Sequence, residues 1–158
     1  MYKVLHVLLL LQLLVLPTFA HAMSFTGKVV KVSDGDTIQV MHEGKAEKVR
    51  LAGIDCPESK QPFGQAAKRF VLDIAAQKTV TVLVETTDRY GRTVGEVILP
   101  DGRNLNQELV RAGYAWWYRK YSSDSTIGEL EEEARAARIG LWVDLAPVPP
   151  WDWRRGEK

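Results

Sequence analysis

From Ser24 the chain falls into short alternating apolar and polar runs separated by turn residues, the pattern of half-buried β-strands. Residues 24–32 form a Val-rich run, with Gly27 placed for a bend or bulge. Asp34-Gly35 is a hairpin signal, and residues 37–42 make the next strand, closed by the Glu43-Gly44 turn. Residues 47–54 are the third. After a loop over 59–63 the period changes. Ala66, Phe70 and Ile74, with Ala67 and Val71, recur at helical spacing and predict a helix over 64–76. Residues 79–85 return to alternation, with Val80, Val82 and Val84 on one face, and 92–99 form the fifth strand before the Pro100-Asp101-Gly102 turn. Asn104 caps a short helix that ends before Gly113, with Leu105 and Leu109 inward. Thr126-x-x-Glu129 has the form of a capping box, and Ile127, Leu130, Ala134 and Ala137 give one face to a helix ending at Gly140.

Five short strands with about three interleaved helices predict an α+β, β-rich single domain: a meander curled into a five-stranded barrel of the oligonucleotide-binding (OB) type. The two ends read differently. Lys3, an apolar run over 7–16, Pro17 and Ala20-His21-Ala22 make a secretory signal peptide with cleavage after Ala22. That run is shorter than the ~20 residues a membrane span needs. The expectations are therefore a secreted or periplasmic protein, no membrane anchor after cleavage, and a monomer. The domain occupies 23–143. In 144–158, Pro147, Pro149 and Pro150 exclude regular helix, and Trp151, Trp153, Arg154 and Arg155 follow. These tryptophans either pack back on the domain or stack on nucleic acid.

Lys3 is the only charge in residues 1–22, so the remainder carries 20 Lys and Arg against 20 Asp and Glu. Bulk electrostatics therefore do not make this chain a nucleic-acid coat, and any positive site is local or metal-supplied. Cys56 is the single cysteine, which excludes an internal disulfide and a cysteine-based zinc site. His42 is the one histidine beyond residue 22, so a serine–histidine triad has little to draw on.

The candidate chemistry centres on Arg50-Leu51-Ala52-Gly53-Ile54-Asp55-Cys56-Pro57-Glu58. Side chains alternate along a strand, so Arg50 and Asp55 share a site only if the chain bends between them. Gly53 and Pro57 permit that bend. Two carboxylates beside a guanidinium can hold a hard cation and a phosphate together; the plain alternative is a salt bridge at a strand end. Asp36 joins this acidic set, whereas Asp34 belongs to the turn. Oxygen donors of this kind suit Ca²⁺ better than zinc. Arg50 and Arg92 form the basic set, each fork matching two phosphate oxygens. In the run 114–121, aromatics interleave with Arg119 and Lys120, as on single-strand-binding surfaces. Alternation buries one of Trp116 and Trp117.

Taken in order, Asp34-Gly35-Asp36-Thr37, then Arg50 to Glu58, then Asp88-Arg89-Tyr90-Gly91-Arg92 resembles the staphylococcal nuclease (thermonuclease) family, over about 27–142. The resemblance implies the OB barrel and a Ca²⁺-dependent phosphodiesterase acting on DNA and RNA. It implies preference for single strands, cleavage of the 5′ P–O bond and 3′-phosphate products. It places direct Ca²⁺ ligands at Asp36 and Asp55 and a backbone carbonyl ligand at Cys56, where the family usually has threonine. It implies that Arg50 and Arg92 meet the phosphate, that Glu58 orients or deprotonates the attacking water, that Tyr90 contacts a phosphate and Tyr121 the base. The loop from Ser59 to Gly64 is shorter than in the type member, which bears on endo versus exo preference. The competing expectations are a non-catalytic OB module that binds nucleic acid, and a Ca²⁺-binding adhesion domain.

Overall fold

The computed structural model describes residues 23–156; the predicted signal peptide lies outside the described residues. Strands β1 (Ser24–Val32), β2 (Thr37–His42), β3 (Lys45–Leu51), β5 (Thr79–Thr87) and β6 (Thr93–Ile98) close a barrel in the order β1-β2-β3-β6-β5. Two short strands, β4 (Ile54–Asp55) and β7 (Trp116–Trp117), pair beside it. Helices α1 (Gly64–Ala75), α2 (Leu105–Arg111) and α3 (Ser125–Ala136) carry the rest, with a 3₁₀ turn at Gly140–Val143 and a final turn of helix α4 (Pro150–Trp153). The predicted class, a five-stranded OB barrel with three substantial helices in one domain, is the class observed.

The barrel interior is the apolar face of the strand alternation: Val29, Val32, Ile38, Val40, Val49, Leu51, Val80, Val82 and Val97 are buried together. Helix α1 covers it with Ala67, Val71 and Ala75, and α2 with Leu105 and Leu109. All neighbouring barrel strands are antiparallel except β3 and β6, which run parallel with Arg50 opposite Val94. A smaller core, Trp116, Ala134, Leu141 and Trp142 with Phe63 and Trp151 against it, lies outside the barrel.

Several local expectations are corrected. Gly27 is not a bulge; the register of β1 shifts between Val29 and Lys31 instead. Gly27 sits where the backbone of β2 comes too close for a side chain, since a Cβ would lie 2.1 Å from the Met41 carbonyl oxygen. The third strand does not run through to Ile54 but stops at Leu51. Helix α3 does not start with the Thr126–Glu129 box. Asp124 caps it, its carboxylate accepting from the Thr126 N–H at 2.9 Å, because an Asp two residues upstream already satisfies that donor. The helix ends at Ala136 and not at Gly140, which opens the 3₁₀ turn. Residues 144–158 do contain helix: Pro150 occupies the first turn of α4, where its missing N–H has no partner to lose.

Candidate active site

The bend between β3 and β4 builds the site. Gly53 takes φ +73°, the left-handed conformation that glycine adopts without steric cost. The turn is held by Asn106 of α2, whose side-chain N–H donates to the Ala52 carbonyl at 2.9 Å and whose Oδ1 accepts from Val97 N–H at 3.2 Å. Arg50 itself closes the bend, donating from Nη1 to the carbonyls of Leu51 (2.8 Å) and Ile54 (3.0 Å). Its Nη2 lies 3.0 Å from Asp55 Oδ1 and 3.2 Å from Asp36 Oδ2. Both carboxylates therefore converge on one nitrogen.

Asp36 arrives through the β1–β2 turn. Asp34 is a turn residue as expected, its Oδ1 accepting from Asp36 N–H at 3.2 Å. A side chain at Gly35 would collide with Cys56 and Ala67, so this turn packs closely against the residue after β4 and against α1. Asp36 Oδ2 then accepts from Cys56 N–H at 2.8 Å. Asp55 is 1% exposed. Strand β7 pairs with it through Trp116, and buried Glu131 of α3 locks β7 by accepting from Trp117 N–H (3.1 Å) and from Arg119 (3.0 Å).

The electrostatics follow from burial. Desolvation and the neighbouring Asp36 carboxylate push the Asp34 carboxyl up to about 6. Burial also raises Asp55, with Asp36 adding to it, and the hydrogen bond from Arg154 and the charge of Arg50 only partly offset this. For Arg50 burial pulls the other way, but the carboxylates of Asp36 and Asp55 outweigh it and raise its pKa. Burial, followed by the Asp36 charge, drives the Cys56 thiol well above its ordinary value, so it is a neutral thiol and not a nucleophile.

The predicted residues are not all brought into contact. Arg50, Asp36, Asp55 and Cys56 form one unit, and Glu58 borders it. Arg92 is held elsewhere, its Nε donating to Asp88 at 2.7 Å while its guanidinium faces the ring of Tyr90 at 5.6 Å. Asp88 also accepts from the backbone N–H groups of Tyr90 and Arg92. Burial opposes the charge on Asp88, but those hydrogen bonds prevail and hold it below the usual carboxylate range. Arg92 lies just before β6, whose first residue, Thr93, pairs with Val49, the chain neighbour of Arg50. Tyr90 is 69% exposed, and Tyr121 is 67% exposed with its ring edge-on to Tyr118. Tyr121 also lines a cavity of about 320 Å³ with Glu85, Glu96 and Asp124, an acidic wall. Trp116 is buried and Trp117 half-buried, as alternation predicts.

Sequence reasoning missed Arg154 and Gln61 as contributors, while Trp151 packs back on the domain, one of its two expected fates. Arg154 reaches the site from the C-terminal segment, its Nη2 2.7 Å from Asp55 Oδ2 and its Nη1 2.7 Å from Glu58 Oε1. Trp151 stacks flat on Tyr118, with centroids 5.2 Å apart and planes 6° off parallel. Gln61, buried in the loop after Glu58, accepts from Glu58 N–H at 3.0 Å and donates to the Val148 carbonyl, tying that loop to the C-terminal segment. The aromatic and cationic run at 151–155 was the available signal; nothing local names its partners.

A closed OB barrel with buried carboxylates and a guanidinium at one end is the class of protein defined here. The staphylococcal nuclease homologue family matches residues 48–144, a stretch that contains Arg50, Asp55, Glu58 and Arg92 but neither Asp36 nor Arg154. The chain is 51% identical to an uncharacterized endonuclease of Escherichia coli over 81% of this chain and 84% of the relative. It is 43% identical to a micrococcal nuclease of Shigella flexneri, covering 85% and 83%. It is 40% identical to a staphylococcal-like nuclease of Arabidopsis thaliana, over 72% of this chain and 35% of that longer protein. The chain belongs to the staphylococcal nuclease family.

Proposed function

We propose that this chain is a calcium-dependent nuclease that hydrolyses phosphodiester bonds of DNA and RNA, preferring single strands and leaving 3′-phosphates. One observation carries the reading: Asp36 and Asp55, both buried, converge within 3.2 Å of one Arg50 nitrogen, with Glu58 beside them. The names of the endonuclease and micrococcal nuclease relatives support the same substrate class.

The residues fit a calcium ion by their chemistry. Every proposed donor is a hard oxygen, namely the carboxylates of Asp36 and Asp55 and the backbone carbonyl of Cys56, and burial of two adjacent carboxylates favours a neutralising cation. Among the described residues no group of three or more His, Cys, Asp and Glu side chains could hold a metal by itself. The backbone carbonyl and water are therefore needed to complete the shell. Bound Ca²⁺ would polarise a phosphate oxygen as a Lewis acid. Arg50 and Arg92 supply planar forks for the charge that grows on the equatorial oxygens. Glu58, half-exposed at the edge of the carboxylate pair, orients or deprotonates the attacking water. Tyr90, beside Arg92, contacts a phosphate, and Tyr121 a base. Tyr121 shares its cavity with the acidic wall of Glu85, Glu96 and Asp124. The N-terminal pattern supports export to periplasm or medium.

The test is hydrolysis of single-stranded DNA by the mature chain. Activity is expected with Ca²⁺, none with chelator, and little with Mg²⁺, which demands tighter octahedral geometry. Full activity in chelator removes the metal from the mechanism; binding of the strand without cleavage under any condition favours the non-catalytic OB module.

A further inference from the structure

Residues 148–154 pack beside the site. The segment is anchored at its start by Gln61, whose side-chain amide donates to the Val148 carbonyl. Pro149 and Pro150 then stiffen the entry to α4, which lays Trp151 against the smaller core, edge-on to Trp116 at 5.7 Å. The same indole lies flat on Tyr118. One turn further, Arg154 places both terminal nitrogens on the acidic groups, bridging Asp55 and Glu58 at 2.7 Å each. A planar fork spanning two carboxylates is a strong charge-assisted contact, and Asp55, 2% exposed in its side chain, offers it a largely desolvated partner.

We infer that this C-terminal segment is an intramolecular competitor of the site, in which Arg154 is seated on the carboxylates as a resident cation and Trp151 holds it there by stacking on Tyr118. The inference rests on the reading of Asp36 and Asp55 as the carboxylates that receive calcium. Arg50 holds Asp55 through Oδ1, and Arg154 holds it mainly through Oδ2. Both oxygens of Asp55 are thereby committed, and an incoming cation must displace a guanidinium. Arg154 is the one to move. Arg50 is bound into the bend by two backbone carbonyls, whereas the Arg154 side chain is 42% exposed and leaves with its segment. The apparent affinity for calcium is then the intrinsic affinity scaled by the fraction of molecules in which the segment is lifted. Displacement also frees Glu58 and uncovers a face of Tyr118, so cation binding and substrate access are coupled.

The test is a calorimetric Ca²⁺ titration of the full mature chain and two variants, each checked for an unchanged circular dichroism spectrum. Arg154→Gln removes the resident cation. Trp151→Leu changes no charge and keeps apolar bulk against Trp116 while removing the flat stack on Tyr118. Both variants are expected to bind calcium more tightly, by about tenfold for a seat filled nine-tenths of the time. Tighter binding in Arg154→Gln alone overturns the inference, because loss of a nearby positive charge then explains it without any seating. Unchanged or weaker binding in both, with a wild type that binds calcium, overturns the competitor and leaves the proposed function standing. Absence of calcium binding in all three proteins overturns both.

Discussion

Glu58 and Asp55 are three residues apart and in opposite surroundings. Asp55 is almost wholly buried and gripped by two guanidiniums, while the Glu58 side chain is 42% exposed and held by the partly exposed Arg154. Burial holds the first in one orientation, as its proposed role as a ligand requires. Exposure leaves the second within reach of water once Arg154 is displaced. Glu58→Gln keeps size and reach but cannot accept a proton as a carboxylate does. Turnover on single-stranded DNA is expected to fall by roughly 10²–10⁴, the range for loss of a general base. Calcium binding is expected to persist, since the proposed ligands are untouched. Loss of calcium binding together with turnover would reassign Glu58 to supporting the metal, and undiminished turnover would remove it from the mechanism.

At the scale of elements, the site is the product of a strand that stops. Had β3 continued past Leu51, Arg50 and Asp55 would lie on opposite faces. The positive φ of Gly53 turns the chain, and Tyr118 N–H donates back to the Gly53 carbonyl at 2.9 Å, joining the bend to the end of β7. A Cβ at Gly53 would meet the Ile127 and Ser122 side chains at 3.1 Å, in a conformation that costs an L-residue about 1–2 kcal/mol. Gly53→Ala is therefore expected to lower stability by about that amount, read as a shift of the urea midpoint. It is also expected to weaken calcium binding, because Asp55 is displaced with the bend. A variant as stable as wild type would show that the turn does not need the left-handed residue. Helix α1 imposes a comparable restriction on the other side: a Cβ at Gly64 would lie 1.9 Å from the Glu58 carbonyl oxygen, so the short loop after Glu58 closes directly onto the helix.

For the whole molecule, the site lies where two cores meet. The barrel core holds β3 and β4, and the smaller core of Trp116, Leu141 and Trp142 holds β7 and the C-terminal segment. The β4–β7 pairing and the Glu131 ion network tie the two together. Cys56 sits in the barrel core beside this junction, 4% exposed and with its thiol held neutral. Its reaction with a thiol reagent is therefore expected to wait for global opening, with a rate in native buffer that rises in step with the denaturant-induced unfolded fraction. Rapid labelling under native conditions would mean that the junction opens locally and that the two cores are not one cooperative unit.

The sequence by itself determined the elements and the central site, because those signals are local. Strand alternation fixes which face of β1, β2 and β5 is buried. A glycine between Arg50 and Asp55 fixes the bend that lets them meet. The Asp34-Gly35-Asp36 turn fixes one aspartate as structure and leaves the next for the site. The reach of the cap at Asp124 against the box at Thr126 is a matter of two residues, decided by which side chain meets the free N–H first. Only the tertiary structure decided that β3 runs parallel to β6, with Arg50 opposite Val94, and that Glu131 is fully buried among arginines. It alone placed Arg154 on Asp55, 99 residues away along the chain. A guanidinium has the same local sequence preferences whether it faces solvent or a buried carboxylate. Its partner is chosen when the two cores close around the bend, and no periodicity or spacing in the chain encodes that closure.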